Sequence, residues 1–462
     1  MLLENKSKHC LIILILTLSQ LFSENKLQKT TLQMIGLFRS GAAYPETGEI
    51  LKYLKNSDYS KNSQLHGQIS GNGLRASYIL GYDLSNRYPV IANNSKNLKD
   101  FEVIVSKMDR TLMTAQSVML GIFKINNDKR SMEKFDKDLL QPPFAGQKTL
   151  DETFTTPLPN GVYPVPFQSF NKEFNNVLRP WDNFGCKQFM TLNSKMIEKE
   201  SKTIDEFNLL LKKAKDLDIS SILGGSKKSV ADSQQIISVM EYLNALKGIG
   251  VDFSLSKEDY KSMQNINDLN ESLMYLNEDA LKIIMYRFNK SVNKNIDALK
   301  TSLKDKTNYS KYVLYAGHFQ TLWALLASMK MTSTDCLKNK LTNKDIENCE
   351  GKPVYNSSIM LEIYKKSPDA TDLYVTMYYN NTDMTSKLED CLTDGECKLQ
   401  KFLDLYMNPN LFESDDDLDV KCLNYDVSLK AKLIALAVAC CFFSVVMILI
   451  FIKVLKAKLK SD

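Results

Sequence analysis

Gln33–Pro45 reads QMIGLFRSGAAYP. It begins as an apolar, β-prone run, Met34–Phe38, and breaks abruptly into a turn that carries one arginine, Arg39, and one glycine, Gly41. A strand ending in an arginine-bearing turn near the start of a fold is a natural anion site, because a guanidinium fork matches a phosphate or carboxylate edge. The rest of the chain can be read outward from this stretch.

Downstream, the polar stretch Asp58–Gly73 leads into helical spacing at Leu74, Ser77–Tyr78, Gly81, Leu84–Ser85 and Tyr88. Phe101–Ser106, FEVIVS, is a second β-prone run. Asp109 is placed to cap the helix expected over Arg110–Phe123. Residues 137–192 hold most of the prolines and many aromatics, which predicts loops wrapping the core. Residues 195–305 are charged and helix-patterned in three or four pieces, with a break at Ile219–Lys228, and are expected to form a helical cap or insertion. Lys311–Ala316 returns to β character, Thr321–Met329 is an apolar helix, and Ser357–Tyr364 and Leu373–Tyr379 read as strands. Phe412–Asp419 is acidic and expected to be exposed. Strand followed by long helix recurs, so the expected class is α/β: a mixed central sheet flanked by helices. Ligands in such folds bind beyond the carboxyl ends of the strands.

The 462 residues are 44% hydrophobic, ample for a packed core. A net charge of +5 with scattered lysines argues against a nucleic-acid partner. Residues 1–23, with the apolar run Leu11–Phe22 behind Lys6 and Lys8, read as a secretory signal. Leu433–Ile452, LIALAVACCFFSVVMILIFI, is uncharged and has the roughly 20 residues a membrane helix needs. Lys453, Lys456, Lys458 and Lys460 follow, which puts the short tail, 453–462, in the cytosol. The expectation is a type I single-pass membrane protein of the secretory route, in a lysosomal, vacuolar or cell-surface membrane, with residues 24–430 outside the cytosol. Six cysteines then lie outside: Cys186, Cys336, Cys349, Cys391, Cys397 and Cys422. In an oxidising compartment they read as three disulfides, although six cysteines allow 15 pairings and one or more thiols could stay free. Spacing favours Cys391–Cys397 as a tight loop around Gly395, and Cys336–Cys349 across a polar insertion. Sequons occur at Asn93, Asn270, Asn289, Asn308, Asn356 and Asn380 and make this a candidate glycoprotein.

Three cationic or titratable residues sit at expected strand-to-helix junctions: Arg39, Arg110 and His318. Helix N-termini present free N–H groups and a positive dipole end, so these places favour phosphate. Singly, each has a plain alternative: a surface turn, an ion pair, a helix cap.

Their surroundings resemble the histidine acid phosphatase family. Arg39-Ser40-Gly41-Ala42-Ala43-Tyr44-Pro45 is similar to its Arg-His-Gly-x-Arg-x-Pro, with Ser40 for the histidine and Ala43 for the second arginine. Gly67–Tyr88 resembles the family's Gly-Gln-Leu-Thr helix region, and Asp109-Arg110-Thr111 with Ala115 its Asp-Arg-Thr-x-x-Ser-Ala block. Val177-Leu178-Arg179-Pro180-Trp181 and Cys186 resemble its mid-chain Cys-Pro-Arg region. Leu314–Met329 resembles its Ser-x-His-Asp-x-Thr block, with Phe319 for the aspartate. Cys391 and Cys397, with Leu399 and Phe402, resemble a late Cys-x-x-x-Cys-Pro-Leu-x-x-Phe.

The resemblance implies a core over about 24–136 and 306–425, with the helical cap over about 137–305. It implies a Cys186–Cys422 disulfide and a homodimer as the assembly to test. It also implies phosphate contacts from Arg39, Arg110 and His318, and it calls for neither metal nor cofactor. The chemistry lost is equally specific: an imidazole attacks phosphorus, and a carboxylic acid protonates the leaving oxygen. Ser40 has no evident base, and Phe319 cannot donate a proton. Three readings follow: a pseudophosphatase ectodomain that still accepts an anion, a residual acid phosphatase acting on phosphomonoesters, or a structural surface protein whose cleft is filled by Phe319 and Tyr44. No protein partner is legible.

Overall fold

The computed structural model describes residues 29–45, 66–88, 98–123, 168–169, 177–180, 186, 189, 233–253, 255–341, 349–408 and 410–423, with isolated positions 436, 438, 443, 444 and 447. The expected signal, most of the expected span, Asn93 and the expected break at Ile219–Lys228 lie outside these residues. Among the described residues, no helix is long and apolar enough to cross a membrane.

In chain order the elements are β1 (Thr30–Arg39), α1 (Gly71–Arg87), β2 (Phe101–Val105), α2 (Asp109–Phe123), β3 (Gln168–Ser169) and α3 (Ser233–Ile249). Then come α4 (Lys257–Tyr275), α5 (Glu278–Asp305), β4 (Tyr312–Gly317), α6 (Phe319–Ser328), α7 (Thr334–Leu341) and β5 (Ser358–Lys365). The last are β6 (Tyr374–Tyr379), β7 (Thr382–Asp383), β8 (Leu392–Thr393), β9 (Glu396–Lys398), α8 (Leu399–Tyr406) and α9 (Asp415–Leu423).

One mixed sheet runs β3-β2-β4-β1-β5-β6-β9-β8, with β7 on β6. β3, β2, β4 and β1 are parallel, and β5 turns the sheet antiparallel. Both faces are covered, so the central strands are apolar throughout rather than alternating with polar residues. On β1, Met34 and Phe38 pack with Leu84, Val118 and Ile122 of α1 and α2. Ile35 and Leu37 face the opposite core, with Tyr315, Trp323 and Phe288. α5 falls in the stretch assigned to the cap, yet it lies on the sheet: Ser291 Oγ is 2.8 Å from the Tyr315 hydroxyl, and the Phe288 and Tyr315 rings meet at 5.0 Å.

The three disulfides are Cys186–Cys422, Cys336–Cys349 and Cys391–Cys397, with Cα separations of 4.3, 5.8 and 5.1 Å. They are the pairs set out above. Two sequons need correction. Asn270 and Asn289 are 0% and 2% exposed, and Asn289 Nδ2 donates to the Asn408 carbonyl, so neither has room for a glycan. Asn308 and Asn380 are exposed, and Asn356 is half-buried. The acidic stretch before Cys422 is exposed at 413–417, as expected, and forms α9, which buries Leu418.

Candidate functional site

The carboxyl ends of β1, β2 and β4 converge because their register is parallel: Arg39 stands opposite Gly317, and Val105 opposite Ala316. Each strand is followed by a residue that carries the site. After β1, the Ser40 N–H donates to the Gly317 carbonyl at 3.2 Å, and the Gly41 N–H to Thr114 Oγ1 at 2.9 Å. The turn is thus fixed to both β4 and α2, and Ser40 is buried. Ala43 is also buried and pairs with Ile69.

After β2, the Ser106 N–H donates to the Ala316 carbonyl. The Met108 carbonyl accepts from the Thr111 and Leu112 amides, so α2 begins at Asp109. Asp109 is therefore the first helical residue and not the expected cap. This setting puts Arg110 in the first turn, half-buried. After β4, His318 occupies the N-cap of α6 with extended backbone and no side-chain capping bond. Its Nε2 lies 2.9 Å from Ser106 Oγ, which lies 2.8 Å from Thr111 Oγ1. A hydroxyl pair thereby fixes the imidazole to the start of α2.

Electrostatics tie these side chains into one cluster. Burial, then the charges of Arg110, Arg179 and Arg39, hold His318 well below the usual imidazole range, which favours the neutral ring. Burial, with Arg39 and Arg179, brings Arg110 down to about 10. Burial likewise lowers Arg39, whose guanidinium lies 4.2 Å from the Tyr355 ring centroid and donates to the Pro353 carbonyl.

Phe319 is 8% exposed and lies edge-on to Tyr275 at 5.7 Å, with Trp323 at 6.3 Å. The Lys352 ammonium is 4.0 Å from its ring centroid. Lys352 also pairs with Glu271 in a buried ion pair. Tyr44 is half-buried, and its amide donates to the Gln68 carbonyl. From α3, Glu241 faces the cluster: burial raises it, Lys352 lowers it, Glu271 raises it further, and Arg39 and Arg110 lower it. Its side chain is nonetheless exposed to solvent at one edge of the cluster.

Arg39, Arg110 and His318 are therefore brought together, with Ser40 and Phe319 on the segments that carry them. His66, half-buried in the turn before Ile69, lies on none of these segments. Sequence reasoning missed Arg179, Glu241, Glu271, Lys352 and Tyr355 as site residues. Arg179 lies in the Val177–Trp181 stretch quoted above for its resemblance, without a site role assigned to it, and the other four lie in no local motif; tertiary packing delivers all five. The arrangement can hold an anion through guanidiniums and a neutral imidazole. It offers no histidine at position 40 and no acid at position 319.

The profile of the histidine phosphatase superfamily (branch 2) matches residues 18–380. In fold the chain is similar to the phytase from D. castellii, at 13% identity and a TM-score of 0.53, over 86% of this chain and 82% of that one. It is similar to the apo phytase of Hafnia alvei, at 12% identity and 0.51, over 82% and 97%. The same Hafnia alvei phytase in complex with myo-inositol hexakis sulphate matches at 10% identity and 0.50, over 82% and 96%.

Proposed function

Because this chain belongs to the histidine phosphatase superfamily, branch 2, we propose that it is a pseudophosphatase that keeps the anion cleft of that fold and lacks the hydrolytic step. One observation carries the reading: the buried His318 lies among the charges of Arg39, Arg110 and Arg179, while the next residue is an aromatic packed on Tyr275. Guanidiniums held at strand ends suit a phosphoryl dianion. A phenyl ring supplies no proton to a leaving group, and positioned acid catalysis alone is worth roughly 100- to 10,000-fold. Ser40, the residue at the nucleophile's place, is buried between the β4 backbone and the 349–357 loop, whose Asn356 amide donates to the Ser40 carbonyl at 3.3 Å.

The cleft belongs to an ectodomain anchored by Leu433–Ile452. The four described apolar positions within that run, Leu436, Val438, Phe443 and Met447, are helical and exposed, which suits a lipid-facing surface. Resistance to alkaline extraction from membranes tests the anchor.

The deciding experiment on function titrates inorganic phosphate, then a multiply phosphorylated inositol, into the full chain in detergent, alongside a phosphomonoester hydrolysis assay at acid pH. Saturable binding with background turnover is expected. Robust turnover that disappears in Arg39→Ala would overturn the proposal. Absence of any anion binding would favour the purely structural reading, in which Phe319 and Tyr44 fill the cleft.

A further inference from the structure

The site holds one guanidinium more than Arg39 and Arg110, the two expected as phosphate contacts. Arg179 lies on none of the segments that carry Arg39, Arg110 or His318, and the residue before it sets its place. The Leu178 carbonyl accepts a hydrogen bond from Thr321 Oγ1 at 3.1 Å. The Leu178 side chain is buried against Gly317, where an added Cβ would sit 3.3 Å from Leu178 Cδ2. Gly317 and Thr321 bracket His318-Phe319, so the chain one residue beyond Leu178 emerges beside the imidazole. Val177 and Pro180 are buried on either side. The proline also biases Arg179 toward extended backbone.

We propose that Arg179 is a phosphoryl ligand of this cleft and stands in for the arginine that Ala43 lacks, so that three guanidiniums from three separate segments grip one phosphomonoester dianion. The proposal rests on the anion-binding reading above and deepens it. Like charges gathered in a half-buried cleft disfavour one another, which is seen in the lowering of Arg110 by both Arg39 and Arg179. Tyr355 and Glu241 offset part of that crowding, and a bound dianion would offset more of it. A guanidinium supplies two parallel donors in a fixed fork, which an ammonium does not. Geometry therefore makes the cleft a rebuilt phosphate site: the arginine lost at Ala43 is replaced from a segment remote in sequence.

Inorganic phosphate is titrated into the full chain in detergent for the wild type, Arg179→Ala, Arg179→Lys and Arg75→Ala. Arg75 is exposed on α1 and serves as the control. Arg179→Ala should weaken phosphate binding by about tenfold or more, Arg179→Lys should recover part of the loss, and Arg75→Ala should match the wild type, all with cooperative melting. Should Arg179→Ala fail to fold, Arg179→Gln keeps length and polarity without charge and carries the comparison. Wild-type binding that is unchanged in the Arg179 variants overturns this proposal alone. A wild type that binds no phosphate overturns both this and the anion-binding reading.

Discussion

The Arg39 guanidinium lies 5.2 Å from the ring centroid of Phe319. Lys352 approaches the same ring, so two cations meet one aromatic ring next to His318. A cation over such a face gains about 0.5–2 kcal/mol, more as water is excluded. Phe319 therefore organises the cleft's cations and is part of the packing.

Replacing that ring should be expensive. Phe319→Ala is expected to destabilise the fold by about 3–5 kcal/mol, read as a shift in denaturant midpoint. Phe319→Asp should give no turnover of a phosphomonoester, because an acid without a nucleophile does not complete the unit. Measurable hydrolysis by that single variant would contradict the role assigned to Ser40.

The fold should lose stability as pH rises through the range where Asp268 ionises. Burial raises this group from 3.8 to about 6, against the lowering effects of the Gln264 hydrogen bond, the Lys352 charge and the Lys352 amide. Its partners are Gln264 Nε2 at 2.5 Å and the Lys352 N–H at 3.2 Å. Between about pH 4 and 6 the folded chain keeps a proton that the unfolded chain has lost, so folding gains from acid in that window. Above it, the buried carboxylate destabilises the fold by about 3 kcal/mol relative to acid pH. Asp268→Asn should flatten that part of the profile. Identical pH dependence of the denaturant midpoints of wild type and variant would remove the argument.

α1 and α2 touch through glycines. A Cβ on Gly81 would fall 1.9 Å from the Val118 carbonyl oxygen, and one on Gly121 would fall 2.1 Å from that of Tyr78. Gly81→Ala gains about 1 kcal/mol of helix propensity. It must also push two backbones apart, and overpacking costs about 1–3 kcal/mol or more. The second effect should win, with a net loss in chemical denaturation. A neutral or stabilising result would mean that the helices separate easily.

Much of this was legible because it was local. Met34–Phe38, FEVIVS and Lys311–Ala316 each became a central strand, since fully buried strands are written as apolar runs. Arg39, Arg110 and His318 were legible from their places at strand ends, which parallel register brings together. α9 was hidden by its acidic composition, yet its signal was present: Ser414 Oγ accepts from the Asp417 N–H, and Asp417 Oδ2 accepts from the Ser414 N–H, a capping box ahead of Leu418. Arg179, Glu241 and Lys352 were not legible as a set. α3, the 177–180 segment and the 349–357 loop reach the cleft by tertiary packing, and no sequence spacing encodes that approach.

The Cys186–Cys422 bond connects two parts of this picture. It joins positions 236 apart in sequence. Cys422 lies four residues after Leu418, on the same face of α9, and both are buried. Cys186 follows the segment that carries Arg179. In the chain-entropy account, closing a loop of that size is worth about 5 kcal/mol, against about 2 for the six-residue separation of Cys391–Cys397. Removing Cys186 and Cys422 together should lower the denaturant midpoint more than removing Cys391 and Cys397. It should also weaken phosphate binding by loosening the approach of Arg179, while the second pair, remote from the cleft, should change stability alone. Titrations of both alanine double variants under non-reducing conditions decide the point. Equal phosphate affinities in the two would mean that Thr321 and Gly317 hold Leu178, and hence Arg179, without help from the disulfide.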